Sequence, residues 1–210
     1  MRIRIKFSKT GPLRYIGNLD LHTIWERAAR RADLALSYSH GFHPQPKIHL
    51  ASPLPLGFSS RSEVVDLWLD EDVPLSDLAQ RLKSALPEGI DILSTESGDP
   101  LAPPLPAMLV AAEYEITLSP DANPQSLASR IGALSAQTSV RRQRRGKTYD
   151  LRPLIEDLRL EVDNSGGPAH LHMRLSAREG ATGRPDEVLE ALAIPLEDTK
   201  IERTNLLFRD

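Results

Sequence analysis

Apolar and polar residues alternate from the start of the chain. Residues 2–7 read Arg-Ile-Arg-Ile-Lys-Phe, a period of two that predicts a half-buried strand with Ile3, Ile5 and Phe7 inward and Arg2, Arg4 and Lys6 outward. The period then lengthens. In NLDLHTIWERAARRA, Leu21, Ile24, Trp25, Ala28 and Ala32 fall on one helical stripe, with Asn18 or Asp20 as N-cap and Glu26, Arg27, Arg30 and Arg31 largely off it. KIHLA (47–51) and SEVVDLWLD (62–70) read as strands. LSDLAQRLKSAL repeats Leu75, Leu78, Leu82 and Leu86 at helical spacing before Pro87 ends it, and IDILST is a further strand. Residues 1–97 therefore run β-α-β-β-α-β, the order of a ferredoxin-like domain, whose helices cover one sheet face and leave the other open. The alternation puts Arg2, Arg4, Lys6, Lys47, His49, Val64, Asp66 and Trp68 on the open face.

Residues 98–110 interrupt the pattern with Pro100, Pro103, Pro104 and Pro106, which predicts a stiff linker. The pattern restarts in 111–210. AAEYEITLS is a strand, Leu127, Ile131 and Leu134 mark a helix, and TSVRRQRRGKTYDL reads as a hairpin turning near Gly146. AHLHMRLSA is a strand, RPDEVLEALAI a helix with Pro185 in its first turn, and KIERTNLLF a closing strand. The expected fold is α+β: two ferredoxin-like (βαββαβ) halves with antiparallel sheets, the second enlarged by the basic hairpin and by LRPLIEDLRLEVD. No residue-level repeat links the halves.

Charge changes the picture more than composition does. Residues 1–50 carry nine Lys or Arg against three acids, residues 51–99 three against ten, and residues 100–210 fourteen against sixteen, so a net charge of −3 conceals a basic end. Cysteine is absent, which removes disulfides, thiolate metal sites and Cys-ligated iron–sulfur clusters from this chain. The apolar runs are short and punctuated by proline, and MRIRIKFSKTG has no apolar signal core, so a soluble cytoplasmic protein without a membrane role is expected.

Two segments carry candidate chemistry. In SHGFHPQPKIHLASPLPLGFSSRSE (39–63), Gly41 and Gly57 can take positive φ while Pro44, Pro46, Pro53 and Pro55 hold their neighbours extended. On that frame His40, Phe42, His43, Lys47 and His49 could stack on a base, contact a phosphate or move a proton. The competing reading is a stiff crossover with Phe42 packed into the core. The second segment, RRQRRGK, sets Arg141, Arg142, Arg144, Arg145 and Lys147 around a turn with no acid before Asp150, a pattern suited to phosphates, with Gln143 and Tyr149 nearby. The pairs His40/His43 and His170/His172 have chelating spacings but no evident third ligand, so no metal and no cofactor is expected. Phosphate-cradling Gly loops, nucleophile elbows and H-E-x-x-H are absent, and Asp66 is expected to balance Arg4 rather than to act with Glu63 in catalysis.

The run from Lys9 to Glu63, with its LDL, ER, RR, YS-GF-P-PK, LPLG and SE elements, resembles the radical-SAM-linked protein family, a bacterial domain of unknown function fused to or encoded beside radical SAM enzymes. KTYDLRPLI and GRPDEVLEAL are similar to it as well. The resemblance implies a radical SAM partner that brings its own cluster. It assigns no chemical role to the matching Lys9, Asp20, Arg27, Arg30, Arg31, Gly41, Phe42, Pro44, Pro46 and Lys47, and His40 and His43 stand where amide side chains are expected. The leading expectation is a non-catalytic accessory protein that binds RNA or a ribonucleoprotein through Arg2, Arg4, Lys6, Lys47 and the hairpin cations. The alternatives are a protein–protein adaptor docking through 39–63 and, last, a metal-independent ribonuclease using His40 or His43.

Overall fold

The opening alternation becomes β1 (Arg2–Lys9), and a 3-10 turn at Gly11–Tyr15 leads into α1 (Asn18–Arg31). Next come β2 (Ile48–Leu50), β3 (Ser59–Trp68), α2 (Leu75–Ala85), β4 (Ile90–Gly98) and a single turn, α3 (Leu105–Met108). This computed structural model describes residues 1–144, 146–162 and 167–209, so Arg145 lies outside the described residues. The chain divides into two units, Met1–Leu109 and Val110–Arg209, each a mixture of helices and strands.

In the first unit β1 pairs antiparallel with β3 and β4, and β2 pairs antiparallel with β3, giving the order β2-β3-β1-β4. Register Arg4↔Asp66 and Ile5↔Val65 puts Ile3, Ile5, Phe7, Val65 and Leu67 on the face that α1 and α2 cover. Leu21, Trp25, Ala28 and Ala29 of α1 and Leu78 and Leu82 of α2 complete this core. Trp25 meets the Phe7 ring edge-on at 4.9 Å. Full burial of each such large apolar side chain stabilises by roughly 1.5–3 kcal/mol.

Neither Asn18 nor Asp20 caps α1. Gly17 is the N-cap and no side chain bonds there, while Asp20 lies in the first turn, where its charge suits the helix dipole. The other end closes on Asp33 at φ +53°, with the Leu34 N–H donating to the Ala29 carbonyl and Arg81 of α2 donating to the Ala32 carbonyl at 2.7 Å.

The Pro-rich segment is fastened to this unit. Arg2 Nη1 donates to the carbonyls of Asp99 (3.0 Å) and Ala102 (2.7 Å), Arg2 Nη2 donates to that of Pro103 (3.0 Å), and α3 lies against β2.

The second unit contains β5 (Leu109–Thr117), α4 (Pro124–Ala136), β6 (Arg141–Arg144), β7 (Lys147–Asp150) and β8 (Ile155–Glu161). It continues with β9 (His170–Arg178), β10 (Ala181–Thr182), α5 (Pro185–Ala191) and β11 (Lys200–Phe208). β9 pairs antiparallel with β5 on one side and with β8 and β10 on the other, and β11 lies beyond β5. Asn123 caps α4 by accepting the Ser126 N–H at 3.0 Å.

LRPLIEDLRLEVD is thus more than an enlargement. Its IEDLRLE portion is a sheet strand, with Leu158 and Leu160 opposite the charged set Asp157, Arg159 and Glu161. A register shift between Ile155 and Asp157 breaks the alternation that would have revealed it. Among the described residues β6 and β7 form a separate two-stranded sheet turning at Gly146 (φ +78°). Among the described residues no helix is long and apolar enough to cross a membrane.

Candidate functional site

The 39–63 segment is held at both ends and open at its tip. The Ser39 N–H donates to the Gln45 carbonyl (2.8 Å), and the Gln45 N–H donates to Ser39 Oγ (2.9 Å). The Lys47 N–H donates to the Ser37 carbonyl (2.8 Å), and Tyr38 bridges Pro46. These contacts close a five-residue tip, His40 to Pro44, in which Gly41 takes φ +134°, a value that L side chains rarely adopt. The tip is exposed throughout, and Phe42 is fully exposed, so the core-packed alternative for Phe42 is wrong. Among the described residues neither His40 nor His43 has a hydrogen-bond or ion-pair partner. The second arm is tied down differently: Leu54 and Phe58 are buried, and the Gly57 N–H donates to the Arg14 carbonyl at 2.8 Å with Gly57 at φ +86°.

The sheet face read as open and cationic holds the predicted residues in cross-strand rows, but its arginines are engaged. Asp66, wholly buried, accepts from Arg2 Nε (3.0 Å) and Nη2 (2.5 Å) and from Arg4 Nε (3.0 Å) and Nη2 (3.1 Å). This bonding raises the Arg4 pKa further above its ordinary value. Arg2 is 1% exposed, its guanidinium stacked 4.8 Å from the Trp68 ring and bonded to the 99–103 carbonyls. It is therefore a structural group under a strap. Lys6 and Lys47 are half-buried, and His49 stands opposite Asp66 with its ring edge-on to Trp68 at 4.7 Å.

Partial burial lowers the His49 pKa, Asp66 opposes that shift, and Arg2 and His22 add to it. Because the folded state favours the neutral ring, its stabilising contribution is complete above the ordinary histidine value of about 6.5 and is lost as pH falls from there through the lowered folded value. A proton NMR titration of the imidazole should place the His49 midpoint below that of unfolded protein, and an equal or higher midpoint would contradict the packing.

In the hairpin, Arg141↔Asp150, Arg142↔Tyr149, Gln143↔Thr148 and Arg144↔Lys147 are opposite each other. One face therefore carries Arg142, Arg144, Lys147 and Tyr149. Its inner pair is anchored on α5: Tyr149 Oη donates to Glu187, and Arg142 approaches Glu190 at 3.7 Å. Burial and the Glu187 carboxylate push the Tyr149 phenol well above its usual range. Asp150 accepts the N–H groups of Val140 (2.7 Å) and Arg152 (3.0 Å), which holds its carboxyl below its ordinary value and fixes the hairpin base. Arg141, Arg144 and Lys147 remain exposed. Acids of α5 thus supplement Asp150, the acid in the hairpin's own strands.

Sequence reasoning missed a third cluster. On β5, β8 and β9, register brings Glu113, Arg174 and Asp157 into one row and Glu115, His172 and Arg159 into the next. Arg174 donates to Glu113 (2.5 Å), Arg159 to Asp157 (2.6 Å), and His172 Nε2 meets Glu161 Oε2 at 3.0 Å. A shallow groove of about 430 Å³ runs over these residues. Its rows carry three acids, two arginines and a histidine. The period-two charges in EYEI and HLHMR mark two of its three strands. His170 and His172 stack at 6.5 Å, and among the described residues no three His, Asp or Glu side chains are grouped to hold a metal ion.

The sequence profile of a family described as an uncharacterized protein conserved in bacteria (DUF2344) matches residues 2–185. The chain belongs to this family. No curated protein matches it. The family's span includes the 39–63 loop, the β6–β7 hairpin and the β8–β9 groove, and it ends at the first residue of α5.

Proposed function

We propose that this chain is a non-catalytic, cytoplasmic accessory protein that docks through its 39–63 loop on a radical SAM enzyme. The observation that carries the reading is Phe42: a large aromatic, fully exposed at the tip of a loop closed by Ser39 and Gln45. Leaving such a ring in water opposes the hydrophobic effect, while a tip whose ends are already bonded together loses less conformational entropy on docking than an open loop. The radical SAM partner comes from the sequence resemblance, and absence of cysteine requires that any Cys-bound cluster belong to the partner. Each unit is read as ferredoxin-like, supported by the order β2-β3-β1-β4 in the first and by β8, β9, β5 and β11 in the corresponding order in the second. The test is capture of partners by tagged protein from native lysate with and without ribonuclease. A radical SAM protein retained after digestion supports docking, and proteins lost together with RNA refute it.

RNA binding is the second reading, favoured by exposed Arg141, Arg144 and Lys147 beside Tyr149 on a fixed hairpin. Arg2 leaves this surface, being buried. Changing the three exposed cations together to Ala should weaken RNA binding and reduce the slope of log affinity against log salt by about 2, at ~0.7 per single-strand phosphate contact. An unchanged slope would remove the hairpin from the interface.

A further inference from the structure

We propose that β4 is a docking edge that accepts an extended, basic segment of a partner protein as an added strand. This stands apart from the loop reading and rests on the first unit's sheet. β4 pairs with β1 on one side, and among the described residues no strand lies on its other side. Backbone N–H and C=O groups alternate across a strand, so about half of those along β4 face outward without a ladder partner.

Sheet margins are commonly blunted by shortness, proline or lysine. The opposite margin obeys that rule: β2 spans three residues and is bracketed by Pro44, Pro46, Pro53 and Pro55. β4 does not. It runs for nine residues, Ile90–Gly98, with no proline and no lysine. Its one irregularity is a bulge at Leu93, between the pairs Phe7↔Ile92 and Lys6↔Ser94. That bulge leaves Leu93 51% exposed, and beyond it Ser94–Gly98 forms an unbroken ladder with β1.

Charge selects the occupant. Asp91 and Glu96 are exposed on β4, Glu88 and Asp99 flank it, and the chain has no Lys or Arg between Lys83 and Arg130. Arg4, opposite Glu96 on β1, is already bonded to Asp66. A second copy of β4 would bring the same acids to the seam, where like charges repel. A strand with Lys or Arg at alternate positions and an apolar residue for Leu93 fits instead.

The test uses the full chain, labelled for amide NMR, and a synthetic octapeptide of alternating lysine and valine. Saturable shifts confined to Ile90–Gly98 and its β1 neighbours, with slowed exchange of amides within Ser94–Gly98, are expected. Glu96→Lys should weaken this binding about tenfold or more with the spectrum otherwise folded, since juxtaposed like charges cost several kcal/mol. The milder Glu96→Gln should weaken it less, and a peptide with proline replacing each valine should not bind. Shifts centred elsewhere, equal binding by the proline peptide, indifference to Glu96→Lys, or a β4-paired dimer without peptide would each overturn the proposal.

Discussion

Asp66→Ala is expected to destabilise the first unit by about 3–5 kcal/mol, the usual cost of removing one partner from a buried ion pair. Asp66 is wholly buried and accepts four N–H groups from two arginines. The two arginines respond differently to its loss. Arg4 keeps a partly exposed side chain near Glu96 and can turn toward water, whereas Arg2 lies at 1% exposure beneath Trp68, held by three carbonyls of the 99–103 strap. Carbonyl dipoles do not replace a carboxylate for a buried guanidinium. Asp66→Ala should therefore also loosen the strap, raising amide exchange in 99–104. Both tryptophans, Trp25 and Trp68, lie in the first unit, so fluorescence during denaturation by urea reports this unit. The double variant Arg2→Met, Asp66→Leu should be more stable than Asp66→Ala, because the buried Arg2 guanidinium is then removed with its counterion and only the partly exposed Arg4 loses Asp66. A loss under about 1 kcal/mol in Asp66→Ala would mean that Arg2 escapes to solvent and that the strap is weakly held.

That network also shows how much one strand at a time reveals. Alternation in RIRIKF correctly separated Ile3, Ile5 and Phe7 from Arg2, Arg4 and Lys6, and the pairing of Arg4 with Asp66 came from strand order. Whether a face stays open is decided by segments far along the chain. Arg2 is buried because carbonyls about 100 residues later fold over it, and proline-rich sequence alone looks the same whether it spans or straps. The hairpin behaves likewise, since Glu187 and Glu190 reach Tyr149 and Arg142 from a helix that local charge counting does not see. β8 was obscured locally, by one register shift in an otherwise alternating strand. Helix stripes were the most legible, because burial of Leu21, Trp25, Leu78 and Leu82 repeats every turn and does not depend on register.

Phe42→Ala is expected to leave stability within about 0.5 kcal/mol of the parent and to weaken capture of the proposed radical SAM partner by at least ~30-fold, the equivalent of a 2 kcal/mol hot spot. The two halves of this expectation come from one fact: the ring is fully exposed, so deleting it removes no core contact and exposes no cavity. The tip is shaped by its backbone, through Gly41 at φ +134° and the Ser39–Gln45 bonds, none of which needs the ring. Gly41→Ala then separates geometry from surface. It keeps Phe42 but strains the turn, because open space around the added Cβ does not relieve a backbone angle that L residues avoid. Weakened capture in both variants, measured against purified partner at fixed salt, would assign affinity to a preorganised aromatic anchor. If Phe42→Ala bound as tightly as the parent while Gly41→Ala did not, the backbone or its polar neighbours would be the contact. If neither changed, docking through this loop would be excluded and the exposed hairpin cations would become the leading surface.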